Sequence, residues 1–209
     1  MSPAFSLLAI SERNTLTLPF EDWLRALAAA GIGAVQIREK DLADRDLYEL
    51  ARRARAVLPP PVRLLVNGRV DVALAAGADG VHLPADGVPV AALRRRFGGG
   101  MLIGRSTHRL AEVERARDEG ADYVTFGPVY ATPGKGPPAG VEALGRAAAA
   151  GIAVYALGGV TLEAFGELAG AGAAGIAAIR LFQETSHLAR AARAAGEHFR
   201  RAREGDHAS

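Results

Sequence analysis

Ala153-Val154-Tyr155-Ala156-Leu157-Gly158-Gly159-Val160-Thr161, followed one helix-length later by Gly175-Ile176-Ala177-Ala178-Ile179-Arg180, is the stretch that decides how this chain folds. Each segment begins as a short apolar run without polar alternation, the pattern of a strand buried on both faces. Between them, Leu162–Gly170 reads as a helix, with Thr161 placed to cap its first turn. Strand, helix and strand in that order form a βαβ unit, whose strands run parallel. The glycine pair after the first strand lets backbone N–H groups approach an anion closely, or it serves only a tight turn.

The same unit repeats toward the N-terminus. Apolar runs at Phe5–Ile10, Ala34–Ile37, Arg63–Val66, Gly80–Leu83, Leu102–Gly104 and Tyr123–Phe126 complete a set of eight strands with the two above. Helix-like segments alternate with them: Leu24–Ala30 after Pro19, Arg45–Val57 ending before Pro59-Pro60-Pro61, Val70–Ala76, Val90–Phe97, Leu110–Glu119 with Gly120 as C-cap, Val141–Ala150 and Leu188–Glu204. The expected class is α/β, a single (β/α)8 TIM barrel forming one domain over residues 1–209, with a frayed polar tail at about 204–209. Such barrels typically need roughly 250 residues, so the loops must be short. An open doubly wound sheet is the alternative, but no Gly-x-Gly-x-x-Gly follows the first strand.

Composition narrows the function. Apolar residues make up 49% of the chain and aromatics 6%, so Ala and Gly supply close helix-on-sheet packing. The absence of cysteine excludes disulfides, thiolate metal sites and thiol catalysis. The formal charge of +2 and the scattering of Arg among acidic residues argue against nucleic acid as a partner. The basic run Arg94-Arg95-Arg96 falls where a helix should end, which suits the helix dipole. No apolar run is long enough to span a membrane, and the opening MSPAFSLLAISER reads as a strand rather than a signal peptide. A cytoplasmic location is expected.

In a barrel the residues just beyond each strand face the ligand, and the loops after strands seven and eight usually hold phosphate. Gln36, Arg38 and Lys40 alternate onto one side after strand two, and two cations there suit an anionic ligand, unless Arg38 pairs with Glu39 or Asp41. Asn67 follows strand three as a ligand contact or a helix cap. His82 lies in strand four, where a satisfied structural histidine is the commoner role. Strand five leads to Ser106, Thr107 and His108, a possible proton-transfer group with hydroxyls beside it or simply a helix cap. The Gly- and Pro-rich loop from Gly127 to Gly140 offers Thr132 and Lys135 to a phosphate. Gly158, Gly159, Ala178, Ile179 and Arg180 form the expected phosphate site.

Taken in order, Gln36-x-Arg38-x-Lys40, Asn67 with Arg69, Gly80-Val81-His82-Leu83, Gly104-x-Ser106-x-His108, Ala121-Asp122-Tyr123, Thr132-x-x-Lys135 and Gly158-Gly159 resemble the thiamine-phosphate synthase/TenI family over nearly the whole chain. One branch of that family condenses a pyrimidine diphosphate with a thiazole phosphate using Mg2+. The other, the thiazole tautomerase (TenI-like) branch, aromatises a thiazole carboxylate phosphate by proton transfer without metal. The synthase pattern has Asp where this chain has Gly68, and another Asp where it has Gly87; Asp86 stands one position away. Mg2+ is usually held through one or two carboxylates, so the resemblance implies the metal-independent isomerase. It further implies His108 as proton shuttle with Ser106 assisting, Gln36, Arg38, Lys40, Asn67, Thr132 and Lys135 as substrate contacts, no cofactor, and a small phosphorylated thiazole as partner. A homodimer is compatible with this reading. Where the family often has Ser after strand eight, this chain has Arg180. The alternatives are the Mg2+-dependent synthase and a non-catalytic protein that binds thiazole or thiamine phosphate.

Overall fold

A computed structural model describes residues 3–205, with side chains described through residue 199. Eight parallel strands close in sequence order, β1 Leu7–Ile10, β2 Ala34–Ile37, β3 Arg63–Asn67, β4 Gly80–Leu83, β5 Leu102–Thr107, β6 Tyr123–Phe126, β7 Ala153–Leu157 and β8 Gly175–Ala178, with β8 pairing back onto β1. Helices α1 Phe20–Ala29, α2 Asp44–Val57, α3 Val70–Ala75, α4 Val90–Phe97, α5 Leu110–Asp118, α6 Gly140–Ala148, α7 Phe165–Gly170 and α8 Leu188–Gly205 alternate with the strands. This is a (β/α)8 TIM barrel. Among the described residues no helix is long and apolar enough to cross a membrane.

Strand alternation divides the apolar residues into two sets. Val35, Ile37, Leu64, Val66, Val81, Ile103, Val124, Val154 and Ile176 face outward and pack under the helices. Leu8, Ile10, Ala34, Leu65, Tyr123, Tyr155 and Ala177 face inward and fill the barrel with Phe5. Rings of Phe5, Tyr123 and Tyr155 meet with centroids 5.1–5.7 Å apart, and the Tyr155 hydroxyl donates to the Phe5 carbonyl at 2.5 Å. Glycine makes room for them: a Cβ on Gly104 would lie 2.1 Å from Tyr123 Cζ, and one on Gly175 would lie 2.8 Å from Tyr155 Cε1. The barrel is therefore a packed core below its mouth, not a pore.

Several sequence expectations need correction. β1 starts at Leu7, so Phe5 contributes its ring from outside the strand. β5 runs on through Arg105, Ser106 and Thr107, because Thr107 bonds the Thr125 carbonyl and these polar residues still pair with β6. Thr161 makes no capping bond; it precedes a 3-10 turn, Leu162–Ala164, and α7 begins only at Phe165. Ile179 lies outside β8. α8 extends to Gly205, and the rest of the expected tail, 206–209, lies outside the described residues. Gly120 does close α5 in a left-handed conformation, its N–H bonding the Arg117 carbonyl. Arg94, in the basic run near the end of α4, bonds Asp122 and the backbone carbonyls of Gly98, Met101 and Gly120.

Candidate active site

The C-terminal ends of the strands gather most of the polar residues singled out above. Gln36 is buried and donates from Nε2 to Asn67 Oδ1 at 3.0 Å. That bond occupies the Asn67 oxygen, and the α3 N-terminus has no side-chain cap, so the capping role for Asn67 is not what the fold uses. The other amide oxygen, Gln36 Oε1, is buried without a hydrogen-bond partner among the described residues. A buried acceptor left open is costly unless water or a ligand satisfies it.

Arg38 does not pair with its neighbouring carboxylates. Glu39 is turned inward, where it accepts from Ser11 Oγ at 2.5 Å and from the backbone N–H and the guanidinium of Arg13. Asp41 takes the other side of the same guanidinium at 2.6–2.7 Å, and that ion pair holds the Asp41 pKa down at about 2. Ser11 Oγ in turn accepts from the Arg38 N–H at 2.9 Å, which fixes the backbone of the β2α2 turn. This network was not foreseen in the sequence, because its members lie 26–28 residues apart on two loops. Among the described residues Arg38, Lys40, Lys135 and Arg180 have no carboxylate in ion-pair range, whereas Arg69 on the same rim is taken by Asp44 and Asp71.

Strands β4, β5 and β6 carry a second cluster. His82 is fully buried, with Nδ1 2.9 Å from the Tyr123 hydroxyl and Nε2 2.9 Å from Ser106 Oγ. Thr125 Oγ1 stands farther off, 3.4 Å from Nε2. Burial, then the positive charges of Arg105 and Arg38, lower the His82 pKa to about 3, so the ring is neutral near pH 7. The structural-histidine reading fits, since both ring nitrogens are satisfied within the protein, and His82 thereby links a core phenol to a hydroxyl at the mouth.

His108 follows β5, and its Nδ1 lies 2.5 Å from the Gly127 carbonyl. A carbonyl can only accept, so Nδ1 carries the hydrogen and a neutral ring has its lone pair on Nε2. Neither Ser106 nor Thr107 caps α5: Ser106 bonds His82, Thr107 bonds the Thr125 carbonyl, and no side chain caps that helix.

The glycine pair has a tighter structural reason than anion approach alone. Both residues take left-handed φ, +96° at Gly158 and +65° at Gly159. A Cβ would lie 2.6 Å from Pro128 Cα in the first case and 2.7 Å from the Ala131 carbonyl oxygen in the second. The β6α6 loop is thereby seated on the end of β7, with Val129 N–H bonding Leu157 O and Tyr130 N–H bonding Gly158 O. Its far end is tied by Ala139 N–H to Pro128 O and Gly140 N–H to Val129 O. Thr132 is held near Gly158 by a bond from Oγ1 to the Tyr130 carbonyl, and Lys135 is exposed on the loop. Tyr130 donates to Glu167 at 2.6 Å; burial, then that carboxylate, push its pKa up to about 12.

Ala178 turns its side chain outward into the helical layer, and Ile179 packs against the inner cluster, so either could meet a phosphate only through its backbone. Arg180 opens a 3-10 turn, Arg180–Phe182, whose last carbonyl accepts from Trp23 Nε1 at 2.7 Å.

A family-implied Mg2+ can be tested against these donors. Gly68 has φ +70° and its N–H is bonded to the His82 carbonyl. A Cβ on Gly87 would press within 3.0–3.2 Å of Pro84, so an acidic side chain there requires the turn to shift. Asp86 is exposed, Glu39 and Asp41 belong to Arg13, and Asp44 and Asp71 belong to Arg69. Hard divalent ions need free oxygen donors, and this set does not fit one.

Residues 7–182 match the family described as Thiamine monophosphate synthase. A thiamine-phosphate synthase of Anaeromyxobacter dehalogenans is 43% identical over 74% of this chain and 72% of its own length. Another, of Chlorobium luteolum, is 40% identical over 90% of this chain and 89% of its own. Among solved structures, a thiamine phosphate pyrophosphorylase from Pyrococcus furiosus superposes with a TM-score of 0.82 at 28% identity, covering 95% of this chain and 96% of that one.

Proposed function

The chain belongs to the thiamine monophosphate synthase family, and from that premise we propose that it is an enzyme of thiamine biosynthesis acting on a phosphorylated thiazole in the barrel mouth. Of the family's two reactions, we assign it the metal-independent aromatisation of a thiazole carboxylate phosphate. One observation carries this choice: glycine stands at both positions, 68 and 87, where a metal-binding synthase has carboxylates, and Glu39, Asp41, Asp44 and Asp71 are held by arginine, which leaves Asp86 as a single exposed carboxylate beside Gly87.

In this reading the substrate phosphate lies against the backbone of Gly158, Gly159 and the Ala178–Arg180 turn, with the Arg180 guanidinium, Thr132 and Lys135 around it. Arg38 and Lys40 face the carboxylate, while Gln36 and Asn67 supply the neighbouring amides. His108 Nε2 takes a proton from one carbon of the non-aromatic ring system and returns one to another. The electron pair released in the first step completes the aromatic ring, so no atom is gained or lost overall. Proton transfer by one positioned group supplies about 10²–10⁴ in rate, enough for a step that aromaticity already favours.

A second reading, coupling of a pyrimidine diphosphate to a thiazole phosphate, is favoured by the names of the relatives at 40–43% identity. Paired assays separate the two. One offers the non-aromatic thiazole carboxylate phosphate without metal and follows aromatic absorbance. The other offers both coupling substrates with Mg2+ and measures thiamine phosphate. Aromatisation alone is expected; Mg2+-dependent coupling alone would replace the isomerase by the synthase, and binding without turnover would make the protein a phosphate-ligand carrier.

A further inference from the structure

We infer that Tyr123 and His82 form a hydrogen-bond relay of fixed direction, which holds the Ser106 hydroxyl as an outward donor to an oxyanion of the ligand. The direction follows from which groups can donate. Tyr123 is fully buried, and its hydroxyl has a single polar partner among the described residues, His82 Nδ1 at 2.9 Å. Burial also raises the phenol's pKa, so its proton stays on and must find an acceptor. His82 Nδ1 is then the acceptor, and in a neutral imidazole the hydrogen sits on Nε2. Nε2–H donates to Ser106 Oγ at 2.9 Å, with Thr125 Oγ1 a longer second acceptor at 3.4 Å. Because Ser106 Oγ accepts from within the barrel, its own proton is left to be given elsewhere. Ser106 occupies an inward-facing place two residues beyond Gly104 and is half-buried at the mouth, where Arg38 also stands.

The arrangement inverts the familiar serine–histidine–carboxylate chain. There a carboxylate accepts from Nδ1–H, so Nε2 is free to take the serine proton and make a nucleophile. Here a phenol donates to Nδ1, and the serine becomes a donor instead. Tyr123 and His82 are positioning residues; only Ser106 touches the ligand. The proposal rests on the mouth being an anion site, as read above, but its central claim is separable from that reading.

The test is 15N NMR of the full-length protein without ligand at neutral pH, with the His82 signals identified by their disappearance in His82→Gln. The expected result is a single neutral tautomer protonated at Nε2. Protonation at Nδ1 would overturn the relay. Tyr123→Phe removes the donor that fixes the ring and is expected to give a mixture of tautomers; an unchanged single Nε2–H form would also overturn it. Should Tyr123→Phe not fold, the wild-type tautomer alone decides. Titration with thiazole-2-carboxylate, which carries the anion assigned to the Arg38 side of the mouth and no phosphate, reads the outer end. Tyr123→Phe and Ser106→Ala should each weaken binding by about tenfold, the scale of one hydrogen bond to an anion, and the double variant should weaken it no further. Independent, multiplying losses would overturn the coupling between the two residues. Failure of the wild type to bind thiazole-2-carboxylate would overturn the anion-site reading, while the tautomer still decides the direction of the relay.

Discussion

The floor of the barrel and its mouth are built from the same inward-facing alternation of strand residues, yet they answer different demands. At the floor, Phe5, Tyr123 and Tyr155 close the space, and glycines on adjacent strands yield volume to the rings. At the mouth, two residues farther along several strands, the inward places belong to Gln36, Asn67, His82 and Ser106, joined in cross-strand pairs. Packing density governs the first region and hydrogen-bond direction the second. One turn of the alternation separates residues whose loss should unfold the protein from residues whose loss should silence it.

The sharpest way to break this division is His108→Gln. Turnover of the thiazole substrate should fall by about 10²–10⁴, equivalent to about 3–5 kcal/mol of barrier, while the melting temperature stays where it was. Comparable losses of activity and stability would mean that the mouth is structural. At the floor, Gly104→Ala should lower the unfolding free energy by about 1–3 kcal/mol in denaturant titration, because the new methyl meets the Tyr123 ring. Gly99→Ala, where nothing lies within 4 Å and φ is not left-handed, is the matched control and should be nearly neutral. If both substitutions cost the same, steric filling of the floor is not what Gly104 serves.

His82 stands on the border and should register in both regions. Its pKa of about 3 in the folded chain lies below the ordinary 6.5, so between those values the unfolded chain binds a proton that the folded chain refuses. Stability therefore rises with pH across that window and falls as pH drops below 6.5, by up to about 1.4 kcal/mol per unit from this one group. Measured from pH 7 to 5, above the range where most carboxylates titrate, the slope should shrink by nearly one proton in His82→Gln. An equal slope in both proteins would mean that His82 is protonated in the folded state.

The short, mostly apolar strands are legible to the residue: β2, β4, β6 and β7 begin and end where their runs do, although β2, β4 and β6 each carry one polar residue, Gln36, His82 and Thr125. β5 runs three residues beyond its apolar run: Arg105-Ser106-Thr107 resembles a loop in sequence, though a strand end at the mouth is the one part of a barrel strand that should be polar. The site was legible as a set of residues and not as a set of bonds. That Arg38 is free depends on Arg13, a loop away, having taken both nearby carboxylates. Gly158-Gly159 forms a left-handed turn after β7, but its tightest neighbours are the protein's own β6α6 loop, a contact no local spacing encodes. Ala178 stands at the strand end that counting from the sequence indicates, but alternation turns its side chain onto the other face.

The occupation of Glu39 and Asp41 by Arg13 has a kinetic side. With those carboxylates neutralised, Arg38 and Lys40 keep their charge uncompensated at the opening, joined across the rim by Lys135 and Arg180. An unbalanced positive rim around a low-dielectric cup draws anions in from beyond contact distance, and salt screens that pull over about 10 Å at 0.1 M. On the proposed reading, the ion pair between two loops governs how fast an anionic substrate arrives, and rising salt should slow that arrival.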